Sequence, residues 1–331
     1  MSRTLLSLLA VLLLVVSACG GADDTSSTEV AEPAEETEPA EEEAADGGTV
    51  TIEHYSGTDE VPVDPETVVV MDLGVLMSLD ALGITPDAFG SLGTPLPPGY
   101  AEVAENPDFA PVGTAFEPDY EAINALEPDL ILVATRSSAT YPDMSEIAPT
   151  VDLTFAEDVD FMTAFRDRHT QIGEIFGVED EVAAQLDEMD RRIEEIAAQT
   201  GDAGEALVVL TAGTEVSAYG PGSRFGLVHD VLGFAPADES LARDETHGEA
   251  VSFEFILEAE PDVMFVIDRS AAIGEEGAES AEAILDNDLV AQTPAAVEGQ
   301  IHYVDGADWY LAFNSIPGVQ GILDDVEDAL G

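Results

Sequence analysis

The chain's basic side chains mark where it can do chemistry. All nine are arginine, set against 70 Asp and Glu, for a formal net charge of −61. Three of them stand just past apolar runs that read as strands. Arg136 follows Leu130–Ala134 and Arg269 follows Val263–Ile267. Arg224 sits in the Gly-Pro-Gly-Ser-Arg-Phe-Gly segment after Val216–Tyr219. Ligands of open α/β sheets bind beyond the carboxyl ends of strands. A guanidinium there offers a planar fork of donors whose charge persists at any relevant pH, so three together suit an anion. A structural ion pair with a neighbouring carboxylate is the competing use of each. The glycines around Arg224 allow close backbone approach, but their spacing is not a dinucleotide fingerprint. Arg166, Arg168, Arg191 and Arg192, in a long helical stretch, and Arg243, in a polar loop, are expected to form surface ion pairs, worth little each.

His54, His169, His229 and His302 show no metal-ligand spacing with one another, and His229 reads as a helix residue near the core. The convergent histidines of a zinc or manganese carrier are not seen. The sequence has no His-Glu-x-x-His, nucleophile elbow or phosphate loop, so nothing points to catalysis.

The elements that position the arginines alternate. Thr49–Glu53, Val68–Asp72, Leu130–Ala134, Leu207–Leu210, Val263–Ile267 and Ile301–Val304 read as strands, Gly74–Leu82 as a helix, and Ser252–Glu258 as another. Strands alternating with helices imply βα units and a largely parallel sheet. An internal repeat organises them. The segment from Glu121 matches the segment from Glu254 without a gap: Glu121 falls on Glu254, Pro128 on Pro261 and Arg136 on Arg269, a constant offset of 133 residues. Each copy reads as a short helix, a Pro-Asp turn, a buried strand and an arginine past its end, which predicts two lobes of one construction. Between them, Asp160–Phe176 and, after Gly177, Glu179–Gln199 carry apolar residues at helical spacing. About 20 residues span roughly 30 Å, enough for a stiff strut between lobes.

In this layout the chain resembles the solute-binding proteins of ABC importers for siderophores, haem and cobalamin, and within them the catecholate-siderophore branch. The resemblance is carried by the segments from Ser217 to Leu241, from Thr246 to Arg269, and Asp308-Trp-Tyr-Leu, in that order and spacing. It implies an α/β fold with two Rossmann-like lobes joined by a long rigid helix, the class III periplasmic-binding-protein fold, and ligand held between the lobes. It also implies that the ligand is a ferric siderophore of catecholate type, with no intrinsic cofactor and no enzymatic activity. A ferric tris-catecholate is trianionic, and Arg136, Arg224 and Arg269 would balance it. His247, in Thr-His-Gly-Glu, and Tyr310 match the places where a histidine and a tyrosine complete ferric coordination when the siderophore supplies four oxygens. Trp309 would instead pack against a catechol ring. Glu121 and Glu254 fall where the family places one exposed glutamate per lobe for docking to the two subunits of a permease dimer. Haem or cobalamin as ligand, a sensing surface lipoprotein, and a surface enzyme of this architecture are the competing readings.

The amino-terminal residues read as an export signal: Arg3, an apolar run over Leu5–Val16, then Val-Ser-Ala before Cys19. The run is shorter than the roughly 20 residues a membrane-spanning helix needs. The pattern resembles a lipobox, so Cys19, the only cysteine, is expected to carry a lipid and fix the protein to the outer face of the cytoplasmic membrane. The expected division is a signal peptide over 1–18, the lipidated cysteine and an acidic disordered tether over 19–48, a first α/β lobe over 49–159, connecting helices over 160–200 and a second α/β lobe over 201–331. Contact with the membrane is expected through the lipid anchor alone. The acidic balance makes nucleic acid and anionic surfaces poor partners and suggests a salt-tolerant source. At about 1 M salt the Debye length falls to roughly 3 Å, which screens most of the self-repulsion. The melting temperature should therefore rise substantially from low salt to molar salt in differential scanning calorimetry; a flat response would remove the argument.

Overall fold

The two copies of the repeat fold alike because matched residues make matched hydrogen bonds. Asp119 caps one short helix (Tyr120–Ala125), accepting the Ala122 N–H at 3.0 Å, and Ser252 caps the other (Phe253–Ala259), accepting the Phe255 N–H at 3.3 Å. Glu127 and Glu260, again equivalent, take left-handed backbone, with φ of 50° and 46°. That turns each chain into its Pro-Asp pair. Asp129 then accepts the N–H groups of Glu66 and Thr67 at the head of the neighbouring strand, and Asp262 accepts the Glu205 N–H in the same role.

The computed structural model describes residues 48–156, 159–241, 248–275 and 277–331. Cys19, the export signal and nearly all of the tether, as well as Arg243 and His247, lie outside the described residues. An antiparallel hairpin, β1 (Thr49–His54) and β2 (Gly57–Pro62), precedes the first sheet. That sheet is wholly parallel, in the order β4-β3-β5-β6, from β3 (Val68–Val70), β4 (Ala88–Phe89), β5 (Leu130–Val133) and β6 (Thr150–Asp152). The second sheet comprises β7 (Glu205–Ala212), β8 (Glu215–Tyr219), β9 (Ala235–Pro236), β10 (Glu249–Ala250), β11 (Val263–Asp268) and β12 (Ile301–Val304). Its order is β10-β8-β7-β11-β12, with β9 also pairing β7. The parallel set β9-β7-β11-β12 reproduces β4-β3-β5-β6; β8 and β10 are antiparallel additions. Buried apolar runs such as Val-Val-Val in β3 and Leu-Ile-Leu-Val in β5 are what a parallel sheet covered on both faces requires.

One helix joins the lobes, and a second, longer helix follows it. Asp160 caps Phe161–Phe176, Gly177 ends it in left-handed backbone at φ 65°, and Glu179–Thr200 follows. The first helix makes the crossing: Ile172 and Ile175 pack in the first lobe's core, Phe165 in the second's. The second helix buries Val182, Leu186, Met189 and Ile196 in the second lobe alone. Arg166, Arg191 and Arg192 form the expected ion pairs, with Asp190, with Glu188 and Glu195, and with Asp324 and Glu327. Arg168 does not. It is 3% exposed and meets Asp72 at 3.4 Å, with its guanidinium over the Phe155 ring. Its position explains the difference: three residues after Phe165 and four before Ile172, it lies on the helix's buried stripe.

The chain crosses back near its end. In the turn Ala307–Leu311, Ala307 and Leu311, with Ala312 after it, join the first lobe's core, while Trp309 and Ile316 join the second's. Polar contacts stitch the same seam. The Tyr100 hydroxyl donates to Asp308 at 2.5 Å, the Ile316 N–H to the Ser78 hydroxyl at 3.1 Å, and the Asn314 amide to the Thr135 hydroxyl at 3.2 Å. Burial, together with Asp305, Asp325 and Asp324 nearby, pushes the Asp308 carboxyl up to about 6 against the pull of the Tyr100 hydrogen bond. Among the described residues no helix is long and apolar enough to cross a membrane.

Candidate ligand-binding site

The three strand-end arginines meet on one side chain. Arg136 comes from the turn after β5, Arg224 from the loop after β8, and Arg269 from the first residue of a short helix after β11 (Arg269–Ala272). Tyr310, on the turn that crosses the seam, engages all three. Its carbonyl accepts Arg224 Nη2 at 2.9 Å and Arg136 Nη2 at 3.3 Å, and its hydroxyl accepts Arg269 Nε at 2.9 Å. Arg136 Nη1 also reaches the Leu311 carbonyl at 3.4 Å. The guanidinium carbons of Arg136, Arg224 and Arg269 stand 5.9, 4.8 and 5.6 Å from the Tyr310 ring centre. Arg224 is held further by the rings of Phe225 and Phe313, at 5.0 and 4.8 Å.

Among the described residues no carboxylate enters this arrangement. The arginine ion pairs among the described residues occupy Arg166, Arg168, Arg191 and Arg192, and none includes Arg136, Arg224 or Arg269. The hydrogen bonds given above use four donor nitrogens, and both terminal nitrogens of Arg269 make none among the described residues. Burial and the nearby Arg136 charge press the Arg224 pKa down, against the Tyr310 and Tyr219 hydroxyls. At Tyr310 burial alone would raise the phenol. The Arg269 hydrogen bond and the charges of Arg269, Arg224 and Arg136 outweigh it and hold the phenol below its ordinary value. Chemically this is a half-buried, positively charged cage with donors to spare and, at its centre, a phenol held below its ordinary value.

Other expected residues fall elsewhere. Trp309 is 1% exposed, stacks on Phe265 at 5.7 Å and donates its indole N–H to Asp325 at 2.8 Å, so it belongs to the second lobe's core and not to a ligand face. His229 is buried, within 3.1 Å of the Phe234 carbonyl. Glu121 and Glu254 are both exposed in the first turns of their equivalent helices. Phe225 and Phe313 were not anticipated; Phe225 is adjacent to Arg224 in sequence, while Phe313 carries no local signal. A cavity of about 650 Å³ opens away from the cage, between β1, the end of β6 and the Phe161–Phe176 helix. Its charged lining is Glu53, Asp152, Asp167 and Glu174 against Arg168, which disfavours an anion; the cage is the better site on charge. Among the described residues no three histidine, cysteine, aspartate or glutamate side chains converge as a metal site.

Two α/β lobes with a cationic cage at their seam define a protein that captures a solute. The model of the family described as periplasmic binding protein matches residues 68–307, and the chain belongs to that family. It is 34% identical to the petrobactin-binding protein YclQ of Bacillus subtilis, over 98% of each chain, and 32% identical to the ferric-anguibactin-binding protein FatB of Vibrio anguillarum, over 84% of this chain and 86% of that one. The crystal structure of YclQ superimposes with a TM-score of 0.79, covering 85% of this chain and 98% of that one. The catecholate-siderophore-binding protein VctP of Vibrio cholerae superimposes with a TM-score of 0.78 at 30% identity, covering 85% and 99%.

The cage predicts an outlying tyrosine. Of the chain's seven tyrosines, Tyr310 should ionise below the ordinary value of about 10 in a tyrosinate absorbance titration. That phase should vanish in Tyr310→Phe and move upward in Arg269→Gln. An unchanged titration in either variant would contradict the assignment.

Proposed function

We propose that the chain is the extracellular solute-binding lipoprotein of an ABC importer and captures a ferric siderophore of catecholate type between its lobes. The observation that carries the reading is the convergence of Arg136, Arg224 and Arg269 on Tyr310 without a carboxylate counter-ion among the described residues. In a chain of net charge −61, such a cluster suits a trianion, and a ferric tris-catecholate is one. Similarity to YclQ, FatB and VctP supports the ferric-siderophore class. So does the likeness to BauB, a siderophore-binding protein solved with two acinetobactin molecules and ferric iron, which superimposes with a TM-score of 0.77 at 27% identity, covering 86% of this chain and 99% of that one.

Tyr310, and His247 from a segment outside the described residues, are the proposed iron ligands when a siderophore leaves coordination sites open; a phenol held below its ordinary value favours the phenolate such a bond needs. Lipid attachment at Cys19, with the division at residues 48, 159 and 200, completes the assignment, and adaptation to high salt follows from the charge. The reading is tested by intrinsic-fluorescence quenching with ferric tris-catecholate, ferric hydroxamate, haem and cobalamin. The tris-catecholate should bind most tightly. Arg224→Gln and Arg269→Gln should each weaken it by about tenfold or more, in line with loss of a charge-assisted contact of about 1.5–3 kcal/mol. Preference for haem or cobalamin, or indifference to both substitutions, would overturn it.

Glu121 and Glu254 are proposed to dock the two lobes to a permease dimer. Carboxylates in the first turn also complement the helix dipole, which accounts for one glutamate per helix but not for their exposure at equivalent positions. In an importer-coupled uptake assay, Glu121→Arg with Glu254→Arg should abolish uptake while affinity in solution stays at the wild-type value; normal uptake by the double variant would count decisively against docking.

A further inference from the structure

The two copies of the repeat part company at the residue before each cage arginine. In the second copy this is Asp268, in ordinary extended backbone at φ −89°, whose carboxylate accepts the Ala271 N–H at 2.9 Å and so starts the short helix that launches Arg269. The equivalent residue in the first copy is Thr135, and no helix follows it directly. It takes φ 48°, in a left-handed region that a β-branched side chain seldom enters. Thr135 and Arg136 are the central residues of a tight turn closed by the Ser137 N–H on the Ala134 carbonyl at 3.0 Å. Arg136 therefore points wherever this strained turn sends it.

The turn is held from outside. Thr135 donates its N–H to the Thr154 hydroxyl at 2.8 Å, within the first lobe. Its hydroxyl accepts the Asn314 amide at 3.2 Å, from the segment that crosses the seam. Asn314 is 3% exposed, and its carbonyl accepts Arg168 Nη1 at 3.4 Å. Its side chain lies against Gly74 so closely that a Cβ there would stand 2.1 Å from the Asn314 amide oxygen. A glycine that admits Asn314, and an asparagine that reaches Thr135, form one path from the lobe seam to the base of Arg136.

We propose that Asn314 and Thr135 are an interlobe positioning pair that aims Arg136 into the cage, so that anion affinity depends on two side chains that need not touch the ligand. The proposal rests on the cage being the anion site. Thr135 is exposed, so substitution there leaves both cores intact. The probe is the ferric complex of a synthetic tris(catecholamide), with dissociation constants from fluorescence quenching. Thr135→Val, which keeps the branched shape and drops the hydroxyl, should weaken binding by about tenfold, within the range of coupling for contacting residues. Thr135→Ser should restore it. Asn314→Ala and Gly74→Ala should reproduce the loss. In an Arg136→Gln background, Thr135→Val should change the affinity by less than about twofold, because the effect runs through a side chain no longer present. Wild-type binding by Thr135→Val, or a loss that adds in full to that of Arg136→Gln, would overturn the positioning role. Failure of the wild-type protein to bind the probe would instead strike the anion-site reading itself.

Discussion

The arrangement depends on keeping three guanidiniums together with no carboxylate among the described residues. Like charges at this spacing repel, and partial burial strengthens the repulsion. A glutamate would relieve it, and the chain has acidic residues in abundance. A carboxylate in the cage, however, would occupy the donors an anion needs and repel the anion as well. The protein uses weaker partners: two backbone carbonyls, a phenol oxygen, and the faces of Tyr310, Phe225 and Phe313. Cation–π contacts contribute about 0.5–1 kcal/mol at exposed sites and about 2 when desolvated. That is enough to orient a guanidinium and too little to saturate it. The cage is thus rigid and still short of negative charge.

Such a site cannot be built on one lobe. Arg136 belongs to the first, Arg224 and Arg269 to the second, and Tyr310 to the segment that passes between them. That segment is fixed by apolar contacts in both directions, with Leu311 in one core and Trp309 in the other. Residues two apart in this wide helical turn, closed by the Ala312 N–H on the Ala307 carbonyl, face roughly opposite ways, so Trp309 and Leu311 anchor opposite cores while Tyr310 lies between them. Tyr100, Ser78 and Thr135 add hydrogen bonds from the first lobe to Asp308, Ile316 and Asn314. The geometry of the cage is therefore a property of the seam.

Much of this was legible in the sequence because duplication writes the same instructions twice. The cap, the left-handed glutamate, the Pro-Asp turn and the terminal arginine recur at one offset, so the position of Arg136 announces that of Arg269. Arg224 was legible because arginine is scarce and glycine surrounds it. Trp309 was misjudged because proximity to Tyr310 in sequence says nothing about which face of the turn each occupies. Arg168 was misjudged because charge was weighed above position on the helix; the spacing from Phe165 and Ile172 already placed it inward. Its partner Asp72, and the meeting of Asn314 with Thr135, join segments far apart in sequence, and no local pattern encodes them.

A tyrosine at the centre of the cage also makes proton balance informative about how a ligand is held. The surrounding positive charge favours the phenolate. An anion bound to the guanidiniums alone would cancel that charge and let the phenol drift back toward its ordinary value. A ferric centre bonded to the phenol oxygen would do the opposite, since a metal ligand must shed its proton. Outer-sphere capture of a saturated complex and inner-sphere completion of an unsaturated one would thus push the same hydroxyl in opposite directions. Under the proposed function both demands fall on Tyr310, because arginine keeps its charge through either event.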